Sequence, residues 1–148
     1  MEEVQNIITM KTIIFLSTIL LLTTSCKKSF APIDYGKDNC AHCRMTIVDD
    51  RYAAEFINEK GKAFKFDDLQ CMLQYMSENT ITGNNLYFVD DYFKTTTGMI
   101  DAQKAIFLHH DFFSSPMNGD IAAFASETEA KPLKDSLNAS MIKWENLQ

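Results

Sequence analysis

Twice in this chain a strand runs directly into a helix start, and this repeated junction constrains the fold more than any other feature. At the first junction Phe66 is followed by Asp67, and at the second Ala125 is followed by Ser126. Aspartate and serine accept hydrogen bonds from the free N–H groups of a first helical turn, so both are good N-caps. The order of elements around the two junctions is similar, and it predicts two related units.

The first unit, at about 45–92, has the order β-β-α-β. Its second strand alternates, with Phe64 and Phe66 on one face. Gly61 ends a turn and can take the positive φ that a tight hairpin requires. The predicted elements are strands at 52–57, 62–66 and 86–89, a turn at 58–61, and a helix with apolar residues at Leu69, Met72, Leu73 and Met76.

The second unit, at about 99–148, repeats this order. Strands are predicted at 104–108, 121–125 and 141–144, with a helix that begins after Ser126. Glu127 and Glu129 favour a helix start, whereas Pro132 is least harmful in the first turn or so. The predicted fold class is α+β, with two packed β-β-α-β units.

The N-terminal 25 residues have the pattern of a lipoprotein signal peptide. Lys11 precedes an apolar run, and small residues lead to Cys26. Met10 is the expected true start. The ending resembles a bacterial lipobox, although Thr23 stands where leucine is commonest, and it implies lipidation of Cys26. A plain secreted protein and an uncleaved anchor helix are the alternatives, but the run is short for a span of about 20 residues.

The lipoprotein pattern predicts a signal peptide at 1–25, a tether at 26–39 and a single domain at 40–148. The domain is expected on the extracytoplasmic side of a membrane. The net charge is −6, with 20 acidic and 14 basic residues and no basic stripe, which argues against nucleic-acid binding. Once Cys26 is acylated, three cysteines remain. Exported proteins tend to pair their thiols, so at least one thiol stays free or is protected by a metal.

The segment from Cys40 to Met45 places two thiols, an imidazole and a thioether within six residues. Soft sulfur donors select Cu(I) over hard cations. A redox dithiol or a zinc site has no use for Met45, whereas monovalent copper does. Cys40, Cys43 and Met45 are therefore candidate copper ligands. His42 is a further candidate, or it faces water.

Other interpretations of the Cys40–Cys43 spacing are a redox dithiol, a structural disulfide and a zinc clip. A thioredoxin-type pair opens a helix, whereas this pair precedes a hairpin. Zinc would need two more ligands, and the neighbours His109 and His110 would point to opposite faces of a strand. Cys71 lies among apolar residues of the predicted helix and is expected to be a small core residue.

Met117 lies in a loop of turn-forming residues, Ser114 to Gly119, that has no apolar periodicity. Methionine usually fills cores, but a methionine in such a loop has no obvious core to fill. If the two units pack pseudosymmetrically, this loop could lie beside the cysteine segment. Met117 would then add a second thioether to a low-coordinate copper site.

The chain resembles the NosL family, accessory lipoproteins of nitrous oxide reductase assembly. The resemblance runs from about residue 40 to 130, and Cys40 departs from many members, which have only the second cysteine. The segments that carry it are Cys43-Arg-Met45, 61–68 (GKAFKFDD), 87–92 (YFVDDY), 100–107 (IDAQKAIF), and Ser115-Pro-Met117 followed by Ala122-Ala-Phe124.

The resemblance implies a fold of two β-β-α-β units related to the organomercurial lyase MerB. It implies Cu(I) binding outside the cytoplasmic membrane, with Cys43, Met45 and Met117 as family ligands. The implied partners are nitrous oxide reductase, whose copper–sulfide centre receives the metal, and an ABC-type membrane complex. The predicted function in denitrification is thus carriage of copper and not catalysis.

Three rival functions remain open at this point. One is a lipid-anchored thiol-disulfide oxidoreductase that uses Cys40 and Cys43. Another is an activity like that of organomercurial lyase, which would need Cys43, Cys71 and Asp67 to converge. The third is a zinc-stabilised binding module.

Overall fold

The computed structural model describes residues 29–147 and consists of two antiparallel sheets, each covered by one helix. The first helix, α1, spans Leu69–Glu78, and the second, α2, spans Glu127–Leu137. Short 3-10 turns lie at Asp111–Phe113 and Trp144–Asn146. The strands are β1 (Ala54–Ile57), β2 (Ala63–Phe66), β3 (Leu86–Val89), β4 (Ile100–Asp101), β5 (Ile106–His109), β6 (Ile121–Phe124) and β7 (Ser140–Lys143).

The two sheets share one three-stranded arrangement, to which the first sheet adds β4, and this confirms the predicted pair of β-β-α-β units. The first sheet has the order β2-β1-β3-β4, and the second has the order β6-β5-β7. In each unit the first strand is central, pairing antiparallel with the second strand and with the strand that follows the helix. The turn between β1 and β2 places Gly61 at φ +82°, as its position predicted.

The structure differs from the sequence prediction at the start of α1. Asp68, and not Asp67, is the N-cap, because its backbone is extended and its Oδ1 accepts the N–H of Cys71. Two aspartates follow β2, and the side chain of either can cap a helix. Residue type alone therefore does not determine at which of them the helix begins. The short strand β4 was also not predicted, since two residues are too few to show alternation.

Ser126 caps α2 as expected, with its Oγ 3.3 Å from the N–H of Glu129. The helix continues through Pro132 to Leu137, so the proline lies in the helix interior. Proline lacks the N–H that would bond back one turn. The ring is on the exposed side of α2, where water can satisfy the carbonyl that is left free.

Aromatic side chains fill the space between the first sheet and α1. Phe56, in the central strand, is 1% exposed and stacks on Phe64 with ring centroids 4.6 Å apart. Tyr75 from α1 packs on the same ring, and Tyr87 from β3 joins it. Burying rings of this size contributes several kcal/mol in total, at about 25 cal/mol per Å², so this layer fixes α1 over the sheet.

The outer face of the same sheet carries the N-terminal segment. Glu55, fully buried in β1, accepts the N–H of Ala31 at 2.8 Å. Phe30 packs edge-on against Phe88, with centroids 6.0 Å apart. Lys65 donates to the carbonyl of Pro32 and to Asp38, both at 2.6 Å. The described part of the predicted tether, residues 29–39, is therefore packed on the domain.

The predicted signal peptide and Cys26 lie outside the described residues. Within 29–147, no helix combines the length and the apolar character needed to cross a bilayer.

Asp90 follows β3 and is 7% exposed. Its Oδ2 accepts the hydroxyl of Tyr35 at 2.7 Å. Burial raises the pKa of the Asp90 carboxyl to about 7, although the Tyr35 hydrogen bond works in the opposite direction. An acid whose pKa is higher in the folded state than in the unfolded state binds protons more tightly when folded. The folded protein therefore loses stability as the pH rises from about 4 to 7.

We expect Asp90→Asn to become progressively stabilising relative to wild type as the pH rises. The amide keeps an acceptor for Tyr35 and does not ionise. The difference in free energy of unfolding should grow by roughly 2 kcal/mol between pH 5 and pH 8. Urea unfolding at the two pH values measures it. A difference in free energy of unfolding between Asp90→Asn and wild type that does not change with pH would contradict the raised pKa of Asp90.

Candidate metal site

The segment that carries Cys40 and Cys43 forms a closed loop. Asn39 and Thr46 pair as an isolated β-bridge at its base. Inside the loop, the N–H of Cys40 donates to the carbonyl of Met45 at 2.8 Å, and the N–H of Arg44 donates to the carbonyl of Cys40 at 3.1 Å. Arg44 takes the left-handed conformation, with φ 68°, which few non-glycine residues adopt. This conformation helps the chain reverse within the loop.

A backbone hydrogen bond joins the loop to the first sheet. The N–H of Ala41 donates to the carbonyl of Lys65 at 2.7 Å. Because Lys65 lies in β2 and α1 begins shortly afterwards, the loop lies beside the first turn of that helix. Cys71 is in this first turn and is fully buried.

This arrangement brings three thiols together. The Sγ atoms of Cys40, Cys43 and Cys71 all lie within 4.8 Å of one another. None of the three is in a disulfide. Within residues 29–147, no other group of three or more histidine, cysteine or acidic side chains has metal-binding geometry. Three sulfur atoms at this spacing can surround one soft metal ion.

The three thiols differ in their acidity. A hydrogen bond from the Cys71 thiol lowers the pKa of Cys40, and the backbone N–H groups of Asp67, Cys43 and His42 lower it further, against the opposing effect of burial. The pKa of Cys71 is raised, first by that hydrogen bond and then by burial. Burial is the main cause that raises the pKa of Cys43. Cys40 is therefore the most acidic of the three thiols.

Asp67, whose backbone N–H contributes a hydrogen bond to Cys40, is 3% exposed. Its pKa is raised to about 6, chiefly by burial and then by the neighbouring charges of Asp68 and Cys40. Asp67 Oδ1 has no hydrogen-bond partner among the described residues. The surroundings of the thiols are thus acidic, and a metal cation would reduce the repulsion within them.

The other predicted ligands differ in burial and in their contacts. Met117 is half-buried and, like Cys43, packs against the core cluster that contains Cys40 and Cys71. Met45 is 47% exposed at the rim of the loop. His42 pairs through Nε2 with Glu78 at 3.2 Å, and its Nδ1 is buried without a hydrogen-bond partner among residues 29–147. Neither His109 nor His110 belongs to the thiol group.

Cys71 is the member of this group that sequence reasoning missed. Its expected core position is confirmed, since it is fully buried. Its proximity to the other two thiols depends on how the loop packs on β2, which residue types do not reveal. The signal that could have identified Cys71 is that an odd number of cysteines, three, follows Cys26.

Fold and site together define an α+β protein with a group of two buried thiols and one half-buried thiol that can hold a soft metal ion. The chain belongs to the NosL family, whose model matches residues 33–148. Among solved structures, it is similar to the crystal structure of the copper chaperone NosL from Shewanella denitrificans, with a TM-score of 0.68 and 16% sequence identity. The match covers 80% of this chain and 95% of that chain, and at this identity it shows a shared fold. No curated protein sequence matches the chain.

We expect iodoacetamide to alkylate Cys43 first in the native, reduced protein. Cys40 and Cys71 are fully buried, whereas Cys43 is half-buried, so access decides the order even though Cys40 is the more acidic thiol. Peptide mapping by mass spectrometry at short times measures the order. Unfolding in guanidinium should remove the difference in access. Equal rates for Cys43 and Cys71 in the native protein would contradict the site geometry.

Proposed function

We propose that the protein is a membrane-anchored metallochaperone that binds Cu(I) and supplies copper for the copper–sulfide centre of nitrous oxide reductase. Membership of the NosL family and the fold shared with a copper chaperone support this proposal. The observation that carries it is the convergence of Cys40, Cys43 and Cys71, whose sulfur atoms lie within 4.8 Å of one another.

The proposed ligand set contains thiols and one thioether. Cys43 with Cys40 and Cys71 provides the thiolates, and Met117 adds a neutral sulfur from the second unit. Soft sulfur ligands favour monovalent copper over magnesium, calcium or manganese. Met45 lies at the exposed rim, where it could contact the ion during entry or release, and His42 remains a candidate through its unpartnered Nδ1.

Transfer of the ion requires one side of the site to be accessible. Cys43 is half-buried while Cys40 and Cys71 are fully buried, so an acceptor can approach through Cys43. A shared-ligand intermediate then moves copper without releasing a free ion. Cys43 and Cys71 must lose protons to bind, and copper uptake therefore strengthens as the pH rises.

The rival functions make different demands on the same residues. An oxidoreductase would use Cys40 and Cys43 and would be indifferent to Met117. An activity like that of organomercurial lyase would cleave a carbon–mercury bond, with Asp67 as the nearby acid. Replacement of Met117 should therefore weaken copper binding but leave either thiol-based activity unchanged, and this difference separates the three functions. Metal analysis of protein purified under reducing conditions separates copper from zinc.

We expect the reduced protein to bind one Cu(I) in competition with a chromophoric cuprous chelator. Cys43→Ser and Cys71→Ser should each weaken binding by at least on the order of 100-fold, because even outer-shell changes cost 10–100-fold at metal sites. Met117→Leu should weaken binding about tenfold, since it removes a neutral ligand of similar volume.

The matched control is Met141→Leu. Met141 is also half-buried but packs in the separate cluster of the second unit, so its replacement should leave Cu(I) affinity unchanged. A wild-type protein that does not compete with the chelator would rule out the proposal. Equal losses for the two methionine variants would remove Met117 from the ligand set.

Delivery is tested in cells that produce nitrous oxide reductase but lack this protein. We expect the wild-type gene to restore the copper–sulfide centre and the Cys43→Ser gene to fail, as measured by copper content and absorption of the purified reductase. Cys26→Ser should move the protein from the membrane fraction to the soluble fraction, because an acyl chain at Cys26 provides the proposed anchor. Full restoration by Cys43→Ser would contradict the delivery role.

A further inference from the structure

One buried carboxylate joins the helix that carries Cys71 to the loop that carries Met117. Asp68 is 1% exposed. Its Oδ1 accepts the N–H of Cys71 at 2.9 Å. Its Oδ2 accepts the hydroxyl of Ser115 and the N–H of Met117, both at 2.9 Å. Two hydrogen bonds and the width of one carboxylate therefore separate the backbone nitrogens of Cys71 and Met117.

The loop 114–120, which contains Met117, is organised around the contacts with Asp68. Ser115 Oγ also accepts the N–H of Asp120 at 3.0 Å, and the carbonyl of Ser115 accepts the N–H of Asn118 at 2.9 Å. Ser114, Asn118 and Asp120 all have positive φ values, between 42° and 55°. Non-glycine residues in this region are strained and persist only where the surroundings hold them. Asp68 supplies two of the hydrogen bonds that hold this loop.

Gly119 allows the loop to approach α1 closely. A Cβ atom at this position would lie 2.7 Å from the Cβ of Gln70, a distance that real Cβ contacts do not reach. Gln70 is the residue directly before Cys71 on the helix. Any larger side chain at 119 would therefore push the loop, and Met117 with it, away from the thiol-bearing turn.

We propose that Asp68 is a positioning residue for copper, which sets the separation between the Met117 thioether and the thiol group of Cys40, Cys43 and Cys71. The inference rests on the proposed function and goes beyond it, since Asp68 holds the two halves of the site without touching the ion. Met117 is 49 residues from Asp68 in the chain. The hydrogen bonds of the Asp68 carboxylate join this distant stretch of chain to the start of α1.

A carboxylate suits this position better than an amide. Three donors converge on Asp68, and an ionised carboxylate has two oxygens that accept and no hydrogen to donate. In Asp68→Asn the amide oxygen can still accept from Cys71 and keep the helix capped. The amide NH2 then faces the N–H of Met117, which loses its acceptor. The substitution therefore keeps the cap while it releases the methionine loop.

The test measures Cu(I) affinity by chelator competition in single and double variants. Asp68→Asn should weaken binding about tenfold, similar to Met117→Leu. In the Met117→Leu background, Asp68→Asn should have less than a twofold further effect, since the ligand that it positions is gone. Ser126→Ala is the matched control: it removes the N-cap of α2 away from the thiols and should leave affinity unchanged.

A spectroscopic readout separates positioning from general loss of stability. With 13C-labelled methionine methyl groups, Cu(I) should shift the Met117 signal in the wild-type protein and leave it unshifted in Asp68→Asn. Gly119→Ala tests the same link from the loop, and it covers the case in which Asp68→Asn does not fold. Gly119→Ala should also weaken Cu(I) binding in the otherwise wild-type protein, and it should have no further effect on Cu(I) affinity in the Met117→Leu background.

The outcomes are distinct. Wild-type affinity in both folded variants, or losses that add fully to that of Met117→Leu, would overturn the positioning role while leaving copper binding intact. A wild-type protein that does not bind Cu(I) would overturn the proposed function and this inference together. If Ser126→Ala lost as much Cu(I) affinity as Asp68→Asn, the effect of Asp68 would be that of a helix cap on stability, and the positioning role would be overturned.

Discussion

The hydrogen bond from Ala41 to the Lys65 carbonyl is the contact on which the thiol site depends. β2 is an edge strand, so its outer backbone groups are free to accept another segment. The cysteine loop uses this edge, and the chain then passes through Asp67 and Asp68 into α1. Two cysteines on the loop and one on the helix consequently meet, although Cys71 is 31 residues from Cys40 in the chain.

The thiol group combines burial with an uneven distribution of protons. The Cys71 thiol and backbone N–H groups lower the pKa of Cys40, so a thiolate at this sulfur would have hydrogen-bond partners. Ionising Cys43 and Cys71 as well would place three negative charges close together without compensation. A cation supplies this compensation, and the site is therefore better suited to being filled than to holding three free thiolates. Asp67, buried beside Cys40, strengthens this preference.

Much of the fold could be predicted from local pattern. Phe64 and Phe66 on one strand face, the turn at Gly61 and the cap at Ser126 each follow from residue chemistry and neighbours in sequence. The site was only partly accessible in this way. The Cys40–Cys43 loop could be recognised by its composition, whereas the position of Cys71 results from packing on an edge strand. Asp68 and Asp67 have the same side chain, so the sequence does not show which of the two is the N-cap.

The packed N-terminal segment determines how freely the domain can move if Cys26 carries lipid. Phe30 and Ala31 are held on the outer face of the first sheet by Phe88 and Glu55. At no more than about 3.5 Å per residue, the chain between Cys26 and this docking point reaches roughly 14 Å. A lipid-anchored tether of this length would keep the domain close to the lipid headgroups. Copper exchange would then take place within a thin layer above the bilayer, where a membrane-embedded donor or acceptor is within reach and a freely diffusing one must come to the surface.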